Sequence, residues 1–207
     1  MKNENLVLGY KVLAPQIFYW ENQKGVEFLK RIGISKGDNV LDFGCRVGHY
    51  TIPAAKIIGS EGVVYALETK EDALSELEQK KKALHLTNIR IIKTSGQLSL
   101  SLEDNSIDVF LLYDVLHYFK ETERKKLYRE AFRVLKQDGL LSVYPKHCLE
   151  DDPIMEFRNI SLEAIKHTIK NSNFIFIEEH CGIISHDDNL NQGCVFNFKK
   201  KSDSEIL

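Results

Sequence analysis

The feature that most constrains the fold is a short apolar run that ends in closely spaced glycines. Residues 40–51 read V-L-D-F-G-C-R-V-G-H-Y-T, and the apolar part is too short for a helix, which predicts a buried strand. Gly44 and Gly48 follow it, and glycine permits both a sharp turn and a close approach of a ligand to the main chain. We therefore predict a strand, a glycine loop and a helix, with the loop open to a ligand.

Short apolar runs alternate with longer amphipathic stretches along the rest of the chain. This alternation predicts an α/β, Rossmann-like doubly wound fold, with a seven-stranded, mostly parallel sheet, one antiparallel edge strand and helices on both faces. The predicted strands cover residues 39–44, 63–68, 89–93, 107–113, 140–144, 174–178 and 194–198. The predicted helices cover residues 25–34, 50–58, 71–84 and 123–135, and a further helix runs from the N-cap Ser161 to Lys170.

The connecting segments have their own patterns. Asp138 and Gly139 predict a turn, and the polar stretch 187–193 predicts a loop between the last two strands. The charge-rich stretch 71–82 is interpreted as the solvated face of a helix.

The chain is expected to form one main domain. We predict an N-terminal helical cap or lid at residues 1–35, the main domain at 36–200 and a frayed tail at 201–207. The aromatic and apolar residues of the cap either cover a substrate or pack helices on the sheet. They are Leu6, Tyr10, Phe18, Tyr19 and Trp20.

Composition narrows the partners and the location. A formal net charge of -2 argues against a broad basic face, so nucleic acid is not expected as a partner. No apolar run approaches the roughly 20 residues of a membrane span, and the first residues lack a signal-peptide pattern. A cytoplasmic location is therefore expected. The four widely spaced cysteines then predict free thiols, at Cys45, Cys148, Cys181 and Cys194.

An acidic residue at the tip of the second predicted strand strengthens the case for a ligand. Glu68 follows Gly48 by about 20 residues, a spacing that suits hydrogen bonds from a carboxylate to ribose hydroxyls. Ligands of open α/β sheets bind at the carboxyl ends of the strands. The alternative is that the glycines serve packing alone and Glu68 is solvated.

Four segments between residues 39 and 145 resemble the class I S-adenosylmethionine (SAM)-dependent methyltransferase family, the broad group that includes quinone-biosynthesis methyltransferases. They read VLDFGCRVGHYT, VVYALE, LEDNSIDVFLLYDVLHY and AFRVLKQDGLLSVYPK. The resemblance implies SAM as the cofactor and in-line methyl transfer to a small-molecule acceptor. Neither the acceptor nor the oligomeric state follows from it.

The resemblance also implies roles for individual residues. Asp42 would orient the methionine amino end of SAM, and Glu68 would hold the ribose hydroxyls. The remaining predicted cofactor residues are Gly44, Cys45, Arg46 and Gly48 in the glycine loop, Thr69 beside the adenine, Ser95, Gly96 or Gln97 at the adenine amino group, and Tyr113 at the tip of the fourth strand.

Two positions depart from the family pattern. Arg46 stands where the middle glycine is usual, and Ser95 stands where an acid is usual. The Arg46 side chain either points outward, or pairs with the methionine carboxylate or an anionic substrate, or weakens cofactor binding. The last alternative implies a non-catalytic interaction or ligand-binding module. An NAD-dependent oxidoreductase is a third possibility, which Asp42 and the fourth and fifth segments argue against.

Histidines provide the candidates for proton transfer. His117 follows the fourth predicted strand and is the candidate general base, because imidazole titrates near neutrality. The alternative is that His117 and Tyr118 form a structural helical turn. His147 is a second candidate. No metal site is predicted, because the adjacent pairs His147-Cys148 and His180-Cys181 lack the usual zinc spacing.

Overall fold

The computed structural model of the protein describes residues 7–8, 11–12 and 15–206. Leu6 and Tyr10 of the predicted cap lie outside the described residues. The chain divides into two compact units. The first comprises residues 1–95 and 182–193, and the second comprises residues 96–181 and 194–207.

The first unit contains the glycine loop and three parallel strands in the order β5-β4-β3. Its strands are β1 (Val7–Leu8), β2 (Lys11–Val12), β3 (Asn39–Phe43), β4 (Val63–Glu68) and β5 (Ile89–Lys93). Its helices are α1 (Pro15–Tyr19), a π-helical turn (Trp20–Lys24), α2 (Gly25–Arg31), α3 (Thr51–Ile58), a 3-10 turn (Gly59–Glu61) and α4 (Glu71–Ala83). β1 and β2 form a separate antiparallel pair.

The second unit contains four strands in the order β6-β7-β9-β8. The strands are β6 (Ile107–Tyr113), β7 (Leu135–Tyr144), β8 (Phe174–His186) and β9 (Asn189–Lys200). The helices are α5 (Glu121–Val134), α6 (Leu162–Lys170), α7 (Asp203–Ile206) and two 3-10 turns (Leu116–Tyr118 and Met155–Phe157). The tip of the β8–β9 hairpin, residues 182–193, belongs to the first unit.

The predicted fold class is confirmed. The strands β3 to β9 belong to one seven-stranded sheet, in which β3, β4 and β5 pair in parallel, β6 pairs with β7 in parallel, and β9 runs antiparallel to β7. Ser161 caps α6 as predicted, because its hydroxyl accepts a hydrogen bond from the amide of Ala164 at 3.2 Å.

The turn predicted at Asp138 and Gly139 lies inside a strand. β7 begins at Leu135, which pairs with Ile107, and the next paired residue is Leu140, which faces Val109. The intervening residues therefore form an irregularity within β7 rather than a turn before it. The apolar runs on both sides keep the strand in the sheet, so local turn chemistry did not end it.

The loop predicted at residues 187–193 is also wrong. β8 and β9 continue to His186 and from Asn189, and Asp187 and Asp188 form the two-residue turn between them. Asp187 has a φ of +52°, a conformation that aspartate tolerates better than most residues. The polar composition of residues 187–193 predicted a loop. The structure has a hairpin there instead, because the paired strands extend beyond their apolar segments.

The hairpin also corrects the prediction of four free thiols. Cys181 and Cys194 lie at equal distances from the turn on facing strands, and they form a disulfide. Cys45 and Cys148 are free and buried.

Helix α4 is not the fully solvated helix that its charge suggested. Ala73, Leu74, Leu77 and Lys80 are buried along one side of it. They recur at the spacing of three or four residues that defines one helix face. A lysine thus continues an apolar stripe, which requires a buried partner for its charge.

We predict that Gly62→Ala lowers the free energy of unfolding by about 2–3 kcal/mol. A Cβ atom on Gly62 would lie 2.1 Å from the backbone oxygen of Asp38, which cannot move without shifting the start of β3. Gly182→Ala is the control, because its nearest neighbour is an Arg31 side-chain atom at 3.4 Å. Urea unfolding measures both. Equal stability of the two variants would contradict the prediction.

Candidate functional site

The loop after β3 is held against the end of β4 by its backbone. The amides of Gly44 and Cys45 both donate to the carbonyl oxygen of Leu67, at 2.8 and 3.0 Å, and the amide of Gly48 donates to Cys45 at 2.9 Å. Gly48 has a φ of +89°, and a Cβ there would lie 2.4 Å from Leu77. The glycine is therefore required by conformation and by packing. The amides of Gly44 and Cys45 are therefore occupied within the protein.

Asp42 lies beneath this loop and is buried, with 3% of its surface exposed. Its Oδ2 accepts a hydrogen bond from the Thr51 hydroxyl at 2.5 Å. Burial raises the pKa of the Asp42 carboxyl to about 6, against the hydrogen bond from Thr51, which lowers it; the negative charge of Glu68 raises it further. A carboxylate this costly to bury suits an incoming cation.

Glu68 closes the other side of the loop. Its Oε2 accepts a hydrogen bond from the Arg46 amide at 3.1 Å, while its Oε1 accepts from the Thr69 amide at 2.6 Å and from the Lys70 amide at 3.0 Å. The Thr69 hydroxyl also donates to Oε1 at 3.0 Å. A carboxylate has about four acceptor positions. Because Oε2 holds only one of these donors, it retains capacity for a ligand hydroxyl.

Arg46 has a φ of +48°, and its side chain reaches the tip of the β8–β9 hairpin. Its Nη1 lies 3.2 Å from Asp187 and 3.4 Å from Asp188. Of the alternatives that the sequence left open for Arg46, the side chain in this structure has the outward orientation.

The residues expected near adenine follow β5. Ser95, Gly96 and Gln97 are exposed, and Gly96 has a φ of +83°. In the second unit, Tyr113 ends β6 and is buried, with its hydroxyl 2.8 Å from that of Ser142. Its polar end is thus engaged within the sheet.

His117 is buried in the 3-10 turn after β6, and the turn is the structural alternative that the sequence had allowed. Its Nδ1 lies 3.6 Å from Oδ1 of Asp114, and the Nε2 of His147 lies 3.8 Å from the same oxygen. The two imidazole rings are 4.9 Å apart. Asp114 and His147 have φ values of +55° and +68°, and such conformations cluster at functional sites. Both histidine candidates therefore share one carboxylate.

The cysteine and histidine pairs do not act together. Cys181 is bonded to Cys194 and offers no thiolate, and His180 lies 3.2 Å from Glu178. Burial raises the pKa of the Cys148 thiol to about 11 and raises that of the Cys45 thiol well above its usual range. Neither free thiol is poised for nucleophilic chemistry.

Comparisons with known proteins decide the family. A family model described as "Methyltransferase domain" matches residues 40–139. The demethylmenaquinone methyltransferase of Geobacillus stearothermophilus is 33% identical over 142 residues, which are 66% of this chain and 58% of that protein. The enzyme of the same name from Listeria innocua is 34% identical over 120 residues, 56% of this chain and 48% of that protein. These matches support the class I SAM-dependent methyltransferase family for this chain. It spans about half the length of the curated relatives it matches.

Solved structures show the same fold. A SAM-dependent methyltransferase from Aquifex aeolicus matches with a TM-score of 0.65 and 21% identity, over 89% of this chain and 96% of that chain. A cyclase named SpnF matches with a TM-score of 0.67 and 13% identity, over 86% of this chain and 80% of that chain. The family resemblance read from residues 39–145 is confirmed, whereas identities this low show the fold alone.

The glycine loop has a buried support that sequence reasoning missed. Glu21, in the π-helical turn, is buried, and its Oε1 lies 2.7 Å from Nδ1 of His49 and 2.8 Å from Nζ of Lys80. Lys80 also donates to the backbone oxygen of Val47 at 3.1 Å. Burial raises the pKa of Glu21, but the hydrogen bond from His49 and the charges of Lys80 and His49 outweigh it, so the net shift is downward. The carboxylate is thus kept charged.

The π-helical turn makes further contacts with the loop and with α3. The Trp20 indole donates to the His49 backbone oxygen at 2.8 Å, and its ring meets the edge of Tyr50 at 5.6 Å. Lys56 donates to the Glu21 backbone oxygen at 3.1 Å. Trp20 therefore packs inside the first unit, whereas Tyr19 of the predicted lid is exposed and Phe18 is half-buried.

We predict that Asp42→Asn gains stability relative to the wild type as pH rises. The native carboxyl, with its pKa raised from 3.8 to about 6, binds its proton more tightly than the unfolded one. That stabilisation is complete below pH 3.8 and is lost as pH rises through about 6. The loss is at most about 3 kcal/mol, and asparagine does not undergo it.

Urea unfolding between pH 4.5 and 8 tests this. The difference in unfolding free energy should move towards the variant across this range, and Asp152→Asn, which alters an exposed carboxylate, should show no such trend. A difference that does not change with pH would contradict the burial of a titrating Asp42.

Proposed function

We propose that the protein is a methyltransferase that transfers the methyl group of SAM to a small-molecule acceptor. The observation that carries the proposal is one loop flanked by two carboxylates, the buried Asp42 and the strand-end Glu68. Family membership supports SAM as the cofactor.

Asp42 is assigned to the methionine amino group of SAM. A buried carboxylate with a pKa of about 6 is mostly ionised at neutral pH but poorly solvated. An ammonium group offers it a positive charge, whereas the Thr51 hydroxyl supplies a neutral hydrogen bond. Gly44 and Cys45 are proposed to border the methionine end of SAM with their backbone, and Gly48 allows the loop to turn.

Glu68 is assigned to the ribose hydroxyls, with Thr69 beside the adenine. The carboxylate is already aimed by backbone amides on both sides, so little rotamer freedom is lost on binding. Ser95, Gly96 and Gln97 remain the proposed adenine neighbours, and Tyr113 a proposed lining residue. Arg46 is proposed to lie outside the cofactor contacts, because its side chain has acidic partners in the hairpin tip.

Methyl transfer proceeds as an in-line displacement in this proposal. The acceptor atom forms a bond to the methyl carbon while the carbon–sulfur bond breaks, and the electron pair stays on sulfur as S-adenosylhomocysteine. The sulfonium is already a good leaving group, so the protein contributes mainly proximity and alignment. An acceptor that carries a proton must also lose it, and His117 is proposed to receive it.

The acceptor is proposed to be a small molecule. The matched relatives carry the name demethylmenaquinone methyltransferase, which makes demethylmenaquinone one compound to test. No helix within the described residues is both long enough and apolar enough to cross a membrane. The Cys181–Cys194 disulfide argues against a reducing compartment, and therefore against the cytoplasmic location expected from the sequence.

A non-methylating function is the second candidate. The fold is shared with the cyclase SpnF, and Arg46 in the glycine pattern is the feature of this chain that favours it. Fold alone does not fix function.

We predict that SAM and S-adenosylhomocysteine bind the purified protein with micromolar affinity. Glu68→Gln should weaken binding by about tenfold or more, because a charge-assisted hydrogen bond is lost. Arg46→Gly is the matched control in the same loop and should change affinity by less than about threefold, since its side chain faces Asp187 and Asp188. Calorimetry measures all three proteins. No binding at millimolar ligand would favour the non-methylating function.

We predict that His117→Gln lowers kcat by about 100-fold or more for an acceptor that must lose a proton, with the affinity for SAM unchanged. His147→Gln tests the second histidine of the cluster, and Asp114→Asn tests their shared carboxylate. Single-turnover methylation of candidate acceptors, demethylmenaquinone among them, measures the rates. An unchanged rate in His117→Gln would leave His117 with a structural role.

A further inference from the structure

His49, directly after the glycine loop, contacts two carboxylates at once. Its Nδ1 lies 2.7 Å from the buried Glu21, and its Nε2 lies 3.2 Å from Asp188 in the hairpin tip. Only 7% of the imidazole surface is exposed. One ring thus joins the core of the first unit to the turn at the end of the hairpin.

The two contacts make different demands on the two forms of the ring. An ionised carboxylate only accepts hydrogen bonds, so a ring nitrogen must donate to it. A neutral imidazole has one N–H and can donate to only one of the two acids, whereas an imidazolium can donate to both.

Charged groups of both signs surround the His49 ring. Lys80 pairs with the Glu21 carboxylate, and Lys56 donates to the Glu21 backbone oxygen. Asp42, beneath the loop, interacts electrostatically with His49. On the outer side Asp188 contacts both His49 and Arg46, whereas Asp187 contacts Arg46. The exposed Asp188 is the partner that a neutral ring gives up first, because losing a hydrogen bond at the buried Glu21 costs more.

The tip also has buried residues, Ile184 and Ser185, and polar contacts with the loop. Tyr50 donates its hydroxyl proton to the Ser185 backbone oxygen at 2.6 Å, and Arg46 forms partly exposed pairs with the two aspartates. Partly exposed pairs of this kind contribute little individually. His49 is the contact that connects the tip to a buried charge.

We propose that His49 is a positioning residue whose imidazolium form holds the hairpin tip, residues 182–193, against the glycine loop. A neutral ring gives up its hydrogen bond to Asp188, which keeps its partly exposed pair with Arg46, so the tip loosens and the loop loses an outer support. The inference rests on the proposed function only in assigning this loop to SAM; the tethering itself does not depend on the ligand.

The first test is hydrogen exchange of the backbone amides of residues 182–193 in the full chain without ligand, at pH 6. Asp188→Asn should increase exchange there by about two- to fivefold, the size expected for a partly exposed charge pair. Asp187→Asn removes the same charge from the same turn without touching His49, and it should have the smaller effect. Equal effects of the two variants would overturn the proposal.

The second test follows the His49 ring by nitrogen NMR across its titration. Tip exchange, corrected for intrinsic rates, should rise in the wild type as the ring loses its second proton and should not follow the ring in Asp188→Asn. A ring that stays doubly protonated must be accompanied by a tip that stays protected. Neutral His49 throughout, or tip exchange unrelated to the ring, would contradict the inference.

Titration of SAM into the same proteins separates the two proposals. Asp188→Asn should weaken SAM binding by about two- to fivefold, with Asp187→Asn closer to the wild type. If SAM does not bind at all, the proposed function fails while the exchange results still decide the tether. If SAM binds and the two variants exchange alike, the tether fails and the function stands.

Discussion

A single buried carboxylate, that of Glu21, joins the parts of the first unit that matter for its site. It pairs with His49 beyond the glycine loop and with Lys80 on α4, while Lys80 also holds the Val47 backbone. Breaking a buried ion pair by removing one partner typically costs about 3–5 kcal/mol, because a charge is left uncompensated. The N-terminal helical segment, the loop and α4 are therefore held together by charge as well as by apolar packing.

The loop is consequently supported on both sides. Glu68 and the Leu67 carbonyl hold Gly44, Cys45 and Arg46 from the β4 side, and the Glu21 cluster holds residues 47–49 from the helical side. Support of this kind is what a ligand site needs, because groups fixed beforehand lose little entropy on binding. Glu68 has two tasks in this view. Its Oε1 accepts from local amides and its Oε2 accepts from the Arg46 amide alone among these donors, so the carboxylate that shapes the loop retains capacity for the ribose contact proposed above.

Sequence patterns predicted what depends on local periodicity. β4, β5 and β6 have the predicted bounds, because their apolar runs stop abruptly at polar residues. The hairpin was predicted too short, because the residues around Asp187 and Asp188 at its turn are polar and strand pairing extends the hairpin to them. Lys80 was missed although it continues the stripe of Leu74 and Leu77 at helical spacing, which was an available signal. No signal in the sequence pointed to the contact between Glu21 and His49, since these residues are 28 positions apart.

The departure at Arg46 is explained by the hairpin rather than by the loop. A non-glycine residue with a φ of +48° pays a conformational penalty of about 1 kcal/mol, so an arginine there needs a compensating interaction. Asp187 and Asp188 supply it, and Asp188 also contacts His49, so Arg46 and His49 share one acid of the turn. The acidic residues of the turn thus pair with the basic residues of the loop. A glycine at position 46 would relieve the backbone and leave the turn held by fewer charges. The substitution that looks like damage to a family pattern is therefore one half of a contact between the loop and the hairpin tip.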